Sequence, residues 1–417
     1  MRASVAEMRL LWVVFCPFAA GYFLSFFFRN VNALISKDLA REFSLAPSDL
    51  GFLTSTYLLA FAAAQLPLGI LLDRYGPRRT VAALLCVAAA GALVFARAHD
   101  FASLSIGRAL IGLGVSAGLM GALKAFTMWF APSKLATLNG LFLAVGGLGA
   151  LAATSPAEAL LEPYGWRALF TGLAVLSFAS ACLIVFIVPE KSLPAAGEPL
   201  GTQIAALKRI FSSAGFWRIV LPLITCLSSY QALQSLWLGP WLYDVAGESR
   251  AAVGRYLLVG ALAYTAGSAL FGIAADRLAR HGVPRMALFK AGFVVALAML
   301  GLLTAQVTSA LGAILFVYGF SAISMALAYP QLTGLFPHAM SARVMTACNT
   351  INFFCAFAFQ WGIGAVLKLY PVAGGNYAPA GYTAAFLVLA GLQLATLVWL
   401  LATTDAAGSS RTPPSPG

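Results

Sequence analysis

Apolar runs of about twenty residues recur along the whole chain, separated by short loops that hold most of its charge. A helix of that length spans the hydrocarbon core of a bilayer. Only 10% of the 417 residues are charged and 61% are hydrophobic, whereas soluble domains carry roughly 25% charged residues. The chain therefore reads as an all-α integral membrane protein. Twelve spans are expected, near 10–36, 49–72, 80–97, 102–130, 135–161, 167–188, 217–243, 253–275, 286–305, 309–336, 342–370 and 380–403.

A polar stretch between the sixth and seventh spans opens with Pro and Gly and closes with the basic amphipathic piece "IAALKRIF". It divides the chain into a six-helix bundle at 1–188, a linker at 189–215, a second six-helix bundle at 216–404 and a tail at 405–417 expected to be disordered. The halves also repeat. "GILLDRYGPRR" follows span two and "GIAADRLARHG" follows span eight, with Asp73 and Asp276 203 positions apart. Two parallel halves with a site between them at mid-membrane form the pattern of a transporter.

The net charge of +12 would suit nucleic acid, but its distribution argues for topology and against a nucleic-acid partner. Arg74, Arg78, Arg79, Lys134, Lys191, Lys208, Arg209, Arg277, Arg280 and Arg285 crowd one set of alternate loops, while Lys37, Arg41, Arg97, Arg167, Arg250 and Arg255 occupy the other. The richer side is cytoplasmic, which places both termini inside. The expected location is the inner (plasma) membrane, with lipid as the surrounding partner. The six cysteines lie in apolar runs without a CxxC pair and read as packing residues. The stretch from Met1 to Arg9 is too polar, and the apolar run behind it too long, for a cleavable signal peptide. His99, His281 and His338 fall near span ends with neither metal-ligand nor triad spacing. No catalytic residue, metal or cofactor is expected, and the chain does not read as an enzyme.

"GILLDRYGPRR" resembles the loop signature of the major facilitator superfamily, through Gly69, Leu71, Asp73, Arg74, Gly76, Arg78 and Arg79. The second copy keeps Gly272, Asp276, Arg277, Arg280 and Gly282. "RALIGLG", with Arg108, resembles the family's helix-four signature, and "GWRALF" the start of helix six. The resemblance implies the family's fold of two pseudo-symmetric bundles, alternating access and a monomer. It implies a conformational latch at Gly69, Asp73, Arg74, Gly76, Arg78, Arg79, Asp276 and Arg277, in which Arg78 and Arg79 bridge to acids of the other half only when the cytoplasmic side is closed. Arg108 is expected in coupling or bracing. The glycine-rich span five only loosely matches the antiporter signature, because Pro156 comes late.

Arg29 stands inside the first span, where a charge is costly unless it meets a wet cavity or a partner. Its side chain leans toward the helix N-terminus, and so toward mid-membrane. Tyr22, Ser25, Phe26, Asn32 and Ser36 share its face. A structural ion pair and snorkelling are the alternatives. The region "RNVNA" resembles the anion:cation symporter branch, which implies a substrate carboxylate at this arginine. Lys124 leans the same way and is the second candidate; Lys290 reads as snorkelling. Adding the offset to Arg29 lands on Ala232, beside Gln231 and Gln234, with Trp237 on the same helix. With Tyr57 and Asn352 these complete the expected substrate set, although a lone amide is more often an interhelical hydrogen bond than a ligand contact.

No Asp or Glu sits deep in a span, so the intramembrane charge favours a small anionic solute and a secondary carrier. Proton-coupled import is the expected mode. The proton has three candidate seats: the substrate, Glu158 or Asp38. Anion exchange stays open. The alternatives are a broad-specificity efflux antiporter, which calls for a buried acid in the first half, and a non-transporting receptor or sensor, which calls for a larger soluble domain.

Overall fold

The computed structural model describes residues 5–191, 200–337, 340–373 and 375–408. Among them, eleven helices are long and apolar enough to cross a membrane. The second and third expected spans form one continuous element, Pro47–Ala96, which reverses at Gly76 with φ 76°. A side chain at that angle would be strained, so the loop motif's glycine is a backbone requirement. Gly165, with φ 72°, makes the same kind of reversal inside Ser155–Ile187. Gly69 is different: a Cβ there would meet nothing within 4 Å.

Local signals set other boundaries. Asp100 accepts from the amide of Ser103 at 2.7 Å and starts helix Phe101–Val115. Ser213 and Ser249 cap helices Ala214–Ala232 and Arg250–Arg280 in the same way. The linker contains helix Leu200–Phe211, and residues 192–199 lie outside the described set. The last helix, Pro379–Gly408, runs into the segment expected to be disordered; 409–417 are outside the described residues. Hairpin strands Val372–Ala373 and Asn376–Tyr377 precede it.

The two halves pack tightly at the end of the bundle remote from the chain termini. Helix Asn32–Glu42 lies on helix Leu238–Asp244, and the 47–75 leg lies on helix Ser341–Leu367. Glycines permit the approach. A Cβ on Gly239 would collide with the Ala33 carbonyl, one on Gly364 with the Pro47 carbonyl, and one on Gly51 would sit 2.9 Å from the Gln360 carbonyl. One apolar core runs through both halves, including Phe28, Leu34, Tyr57, Trp237 and Leu242. The terminal end of the first half has its own separate core, with Phe18, Leu72, Val81, Phe126 and Phe142.

Candidate functional site

Arg29 lies in the last turn of helix Cys16–Asn30, just before winding breaks and restarts as Asn32–Glu42. The seventh span loses regular winding at the pseudo-equivalent place, with a π-helical turn at Leu233–Trp237. Such turns cost hydrogen-bond regularity and cluster at functional positions. The guanidinium carbon lies over three rings, Phe26 at 4.7 Å, Phe61 at 5.3 Å and Phe353 at 4.8 Å. Phe353 belongs to the second half and touches Phe61 with centroids 4.4 Å apart. Among the described residues no carboxylate pairs with Arg29, and its buried Nε has no hydrogen-bond partner.

The neutral residues expected at the substrate make contacts within the protein, although Asn32 Oδ1 is buried without a partner. Asn32 Nδ2 donates to Thr54 Oγ1 at 3.2 Å, and the Tyr57 hydroxyl to the Ser25 carbonyl at 3.0 Å. Gln234 Nε2 donates to the Leu257 carbonyl at 2.9 Å, and Trp237 Nε1 to the Gln360 carbonyl at 2.7 Å. Asn352 Nδ2 reaches Gln231 Oε1 at 3.3 Å, while its own Oδ1 accepts from Ser228. Tyr22 stacks on Phe142 at 4.4 Å and meets Phe26 edge-on.

Lys124 lies at the loop motif. It pairs with Asp73 and donates to the Leu72 carbonyl at 2.9 Å. It therefore has a carboxylate partner, which Arg29 lacks among the described residues. Arg78 and Arg79 both pair with Glu190, at the close of the first half, not with acids of the second. Arg74 lies over Tyr75 at 5.3 Å. Arg277 is exposed, and the side chain of Asp276 lies outside the described residues. Arg108 is buried, donates to the Phe28 carbonyl at 3.1 Å and lies over Tyr57 at 5.0 Å, bracing the first, second and fourth spans.

Ion pairs at the remote end cross between halves. Arg250 donates from Nε to Glu158 at 2.8 Å and holds Asp38 through both terminal nitrogens at 3.0 and 3.1 Å. Lys37 pairs with Asp244 and donates to Asn376 at 3.1 Å; Asp244 also accepts from the Tyr382 hydroxyl at 2.8 Å. The sequence reading took Arg250 and Lys37 only as topology charges. Their acidic partners lie in distant segments, so spacing carried no signal of the pairs.

Apolar helices of membrane-spanning length, joined by ion pairs at one end and holding Arg29 without a carboxylate among the described residues, define a multi-pass helical membrane protein. The chain belongs to the Major Facilitator Superfamily, whose family model matches residues 18–360, and it is a multi-pass membrane protein, as expected of an inner-membrane carrier. It is 33% identical over 129 residues to the nitrate/nitrite transporter NrtP of Picosynechococcus sp., a match covering 31% of this chain and 24% of that protein. It is 22% identical over 350 residues to a probable L-galactonate transporter of Escherichia coli, covering 79% and 76% of the two chains. Its fold resembles a bacterial homologue of the human lysosomal transporter Spinster in an inward-facing, unoccupied conformation, with TM-score 0.79 and 15% identity over 96% of this chain and 98% of that one.

Proposed function

We propose that the protein moves a small organic anion, a carboxylate, across the inner membrane by alternating access, as proton-coupled import. The observation that carries this reading is the unpaired guanidinium of Arg29. A cation held between two halves without an acid is a poor structural element, because its desolvation is not offset by a counter-ion. It is a good receptor, because its planar fork matches a carboxylate. The similarity to a nitrate/nitrite transporter and to a probable L-galactonate transporter supports an anion.

Twelve crossings with both termini cytoplasmic complete the proposal. The reversal at Gly76 supports that count by giving the second and third spans separate legs, 47–75 and 77–96. Closure at the remote end supports an inward-facing state. Protons are the proposed coupling ion, with Glu158 and Asp38 as candidate seats, and the carrier works as a monomer.

The test is uptake into proteoliposomes under an imposed proton gradient. Carboxylate uptake should require the gradient and vanish in Arg29→Ala. Uptake at the native rate by that variant would remove the basis of the proposal.

A further inference from the structure

We infer that the anion taken at Arg29 is a monocarboxylate on a flat apolar body, such as an arylcarboxylate, and not a polyhydroxy acid or an inorganic oxyanion. This rests on the carboxylate reading above and narrows it.

The first ground is what surrounds the guanidinium. The rings of Phe26, Phe61 and Phe353 lie within 5.3 Å of its central carbon. Ring faces attract the cation. With Nε buried, the two terminal nitrogens are left as the fork for a carboxylate. Whatever carries that carboxylate then lies against phenyl surface. A flat apolar body gains dispersion and aromatic contact there. The third oxygen of nitrate would instead meet ring faces whose quadrupole is negative.

The second ground is the hydrogen-bond inventory. Reading the hydroxyls of a sugar acid takes several uncommitted polar groups. A site lacking them leaves those hydroxyls desolvated and unpaired. Here Asn32, Tyr57, Gln234, Trp237 and Asn352 each donate to the protein, and the buried Asn32 Oδ1 is left as an unpartnered acceptor, fewer free groups than the several hydroxyls of a sugar acid call for.

The third ground is charge. Arg108 is buried against the Phe28 carbonyl and Lys124 is neutralised by Asp73. Arg108 is fully buried and committed to a carbonyl and the Tyr57 ring, so Arg29 is the guanidinium left to meet a ligand, and it matches one negative charge.

The test is thermal unfolding of the purified full-length protein against benzoate, phenylacetate, phthalate, galacturonate, nitrate and the neutral analogue benzamide. Benzoate and phenylacetate should raise the midpoint saturably, with Kd at least tenfold below those of galacturonate, nitrate and phthalate; benzamide should have no effect. The benzoate shift should disappear in Arg29→Ala, and Phe353→Leu should reduce the preference for benzoate over galacturonate about tenfold. Tighter binding of galacturonate or nitrate than of benzoate would overturn the inference. So would an unchanged preference in Phe353→Leu. If no anion shifts the midpoint, or the shift survives Arg29→Ala, the carboxylate reading itself falls and takes this inference with it.

Discussion

Arg250 of the second half donates from Nε to Oε1 of Glu158 in the first, 2.8 Å away, while its other nitrogens hold Asp38. The two acids are not equivalent. The Glu158 side chain is 11% exposed and that of Asp38 34%. In this closed arrangement Glu158 is therefore the more shielded of the two carboxylates that Arg250 holds.

Removing the clamp should therefore shift the conformational equilibrium. Arg250→Gln is expected to open the remote end, read as a longer distance between spin labels placed at Arg41 and Arg255. Because the arginine is about one-third exposed, solvent screening limits the effect to about 1 kcal/mol, or roughly a fivefold change in population. Adding Glu158→Gln should return part of the closed population. Identical distance distributions in wild type and Arg250→Gln would show that the ion pairs do not hold this end shut.

Glycine contacts give a second lever. Gly364→Ala and Gly239→Ala place a methyl against backbone of the opposite half. Each should disfavour the closed remote end by about 1–3 kcal/mol, the usual cost of overpacking, while both bundles still fold. Gly112→Ala presses instead on the Tyr57 backbone within the first half, so it should lower the thermal midpoint and the yield. Equal loss of folded protein in all three variants would refute the distinction.

The pairing of Lys124 with Asp73 makes a kinetic prediction. Asp73→Asn should lower the maximal rate severalfold and leave substrate affinity nearly unchanged. Lys124→Met should do the same, and the double variant should be no worse than either single one. Loss of affinity in Lys124→Met with normal turnover would place this lysine in the binding site.

Arg29→Lys keeps the charge and removes the planar fork. It should weaken carboxylate binding at least tenfold, by titration with benzoate at constant pH, while the protein unfolds at a similar temperature. Native affinity in this variant would mean that charge alone, without guanidinium geometry, holds the anion.

The membrane class was legible because hydrophobic run length is a one-dimensional property. The loop motif also revealed where the chain reverses, since Gly76 needs its left-handed backbone. The surroundings of Arg29 were only half legible. Its lean and its neighbour Phe26 follow from helical spacing; Phe61 and Phe353 come from other helices and leave no periodic trace. The partner of Lys124 was illegible for the same reason, because Asp73 is on a different span. The amides of Gln234 and Asn352 were recognisable as polar, but whether each faces a ligand or a neighbouring helix depends on packing that composition does not encode.

The ring cage of Arg29 draws on both halves, with Phe26 and Phe61 from one and Phe353 from the other. If the halves rock apart at this end, Phe353 departs with its own half and the guanidinium keeps two rings instead of three. The same anion would then meet a different receptor on each side of the membrane. Such a carrier would have unequal half-saturation concentrations for influx and efflux, so that its direction under working conditions is biased by the grip of each face as well as by the gradient.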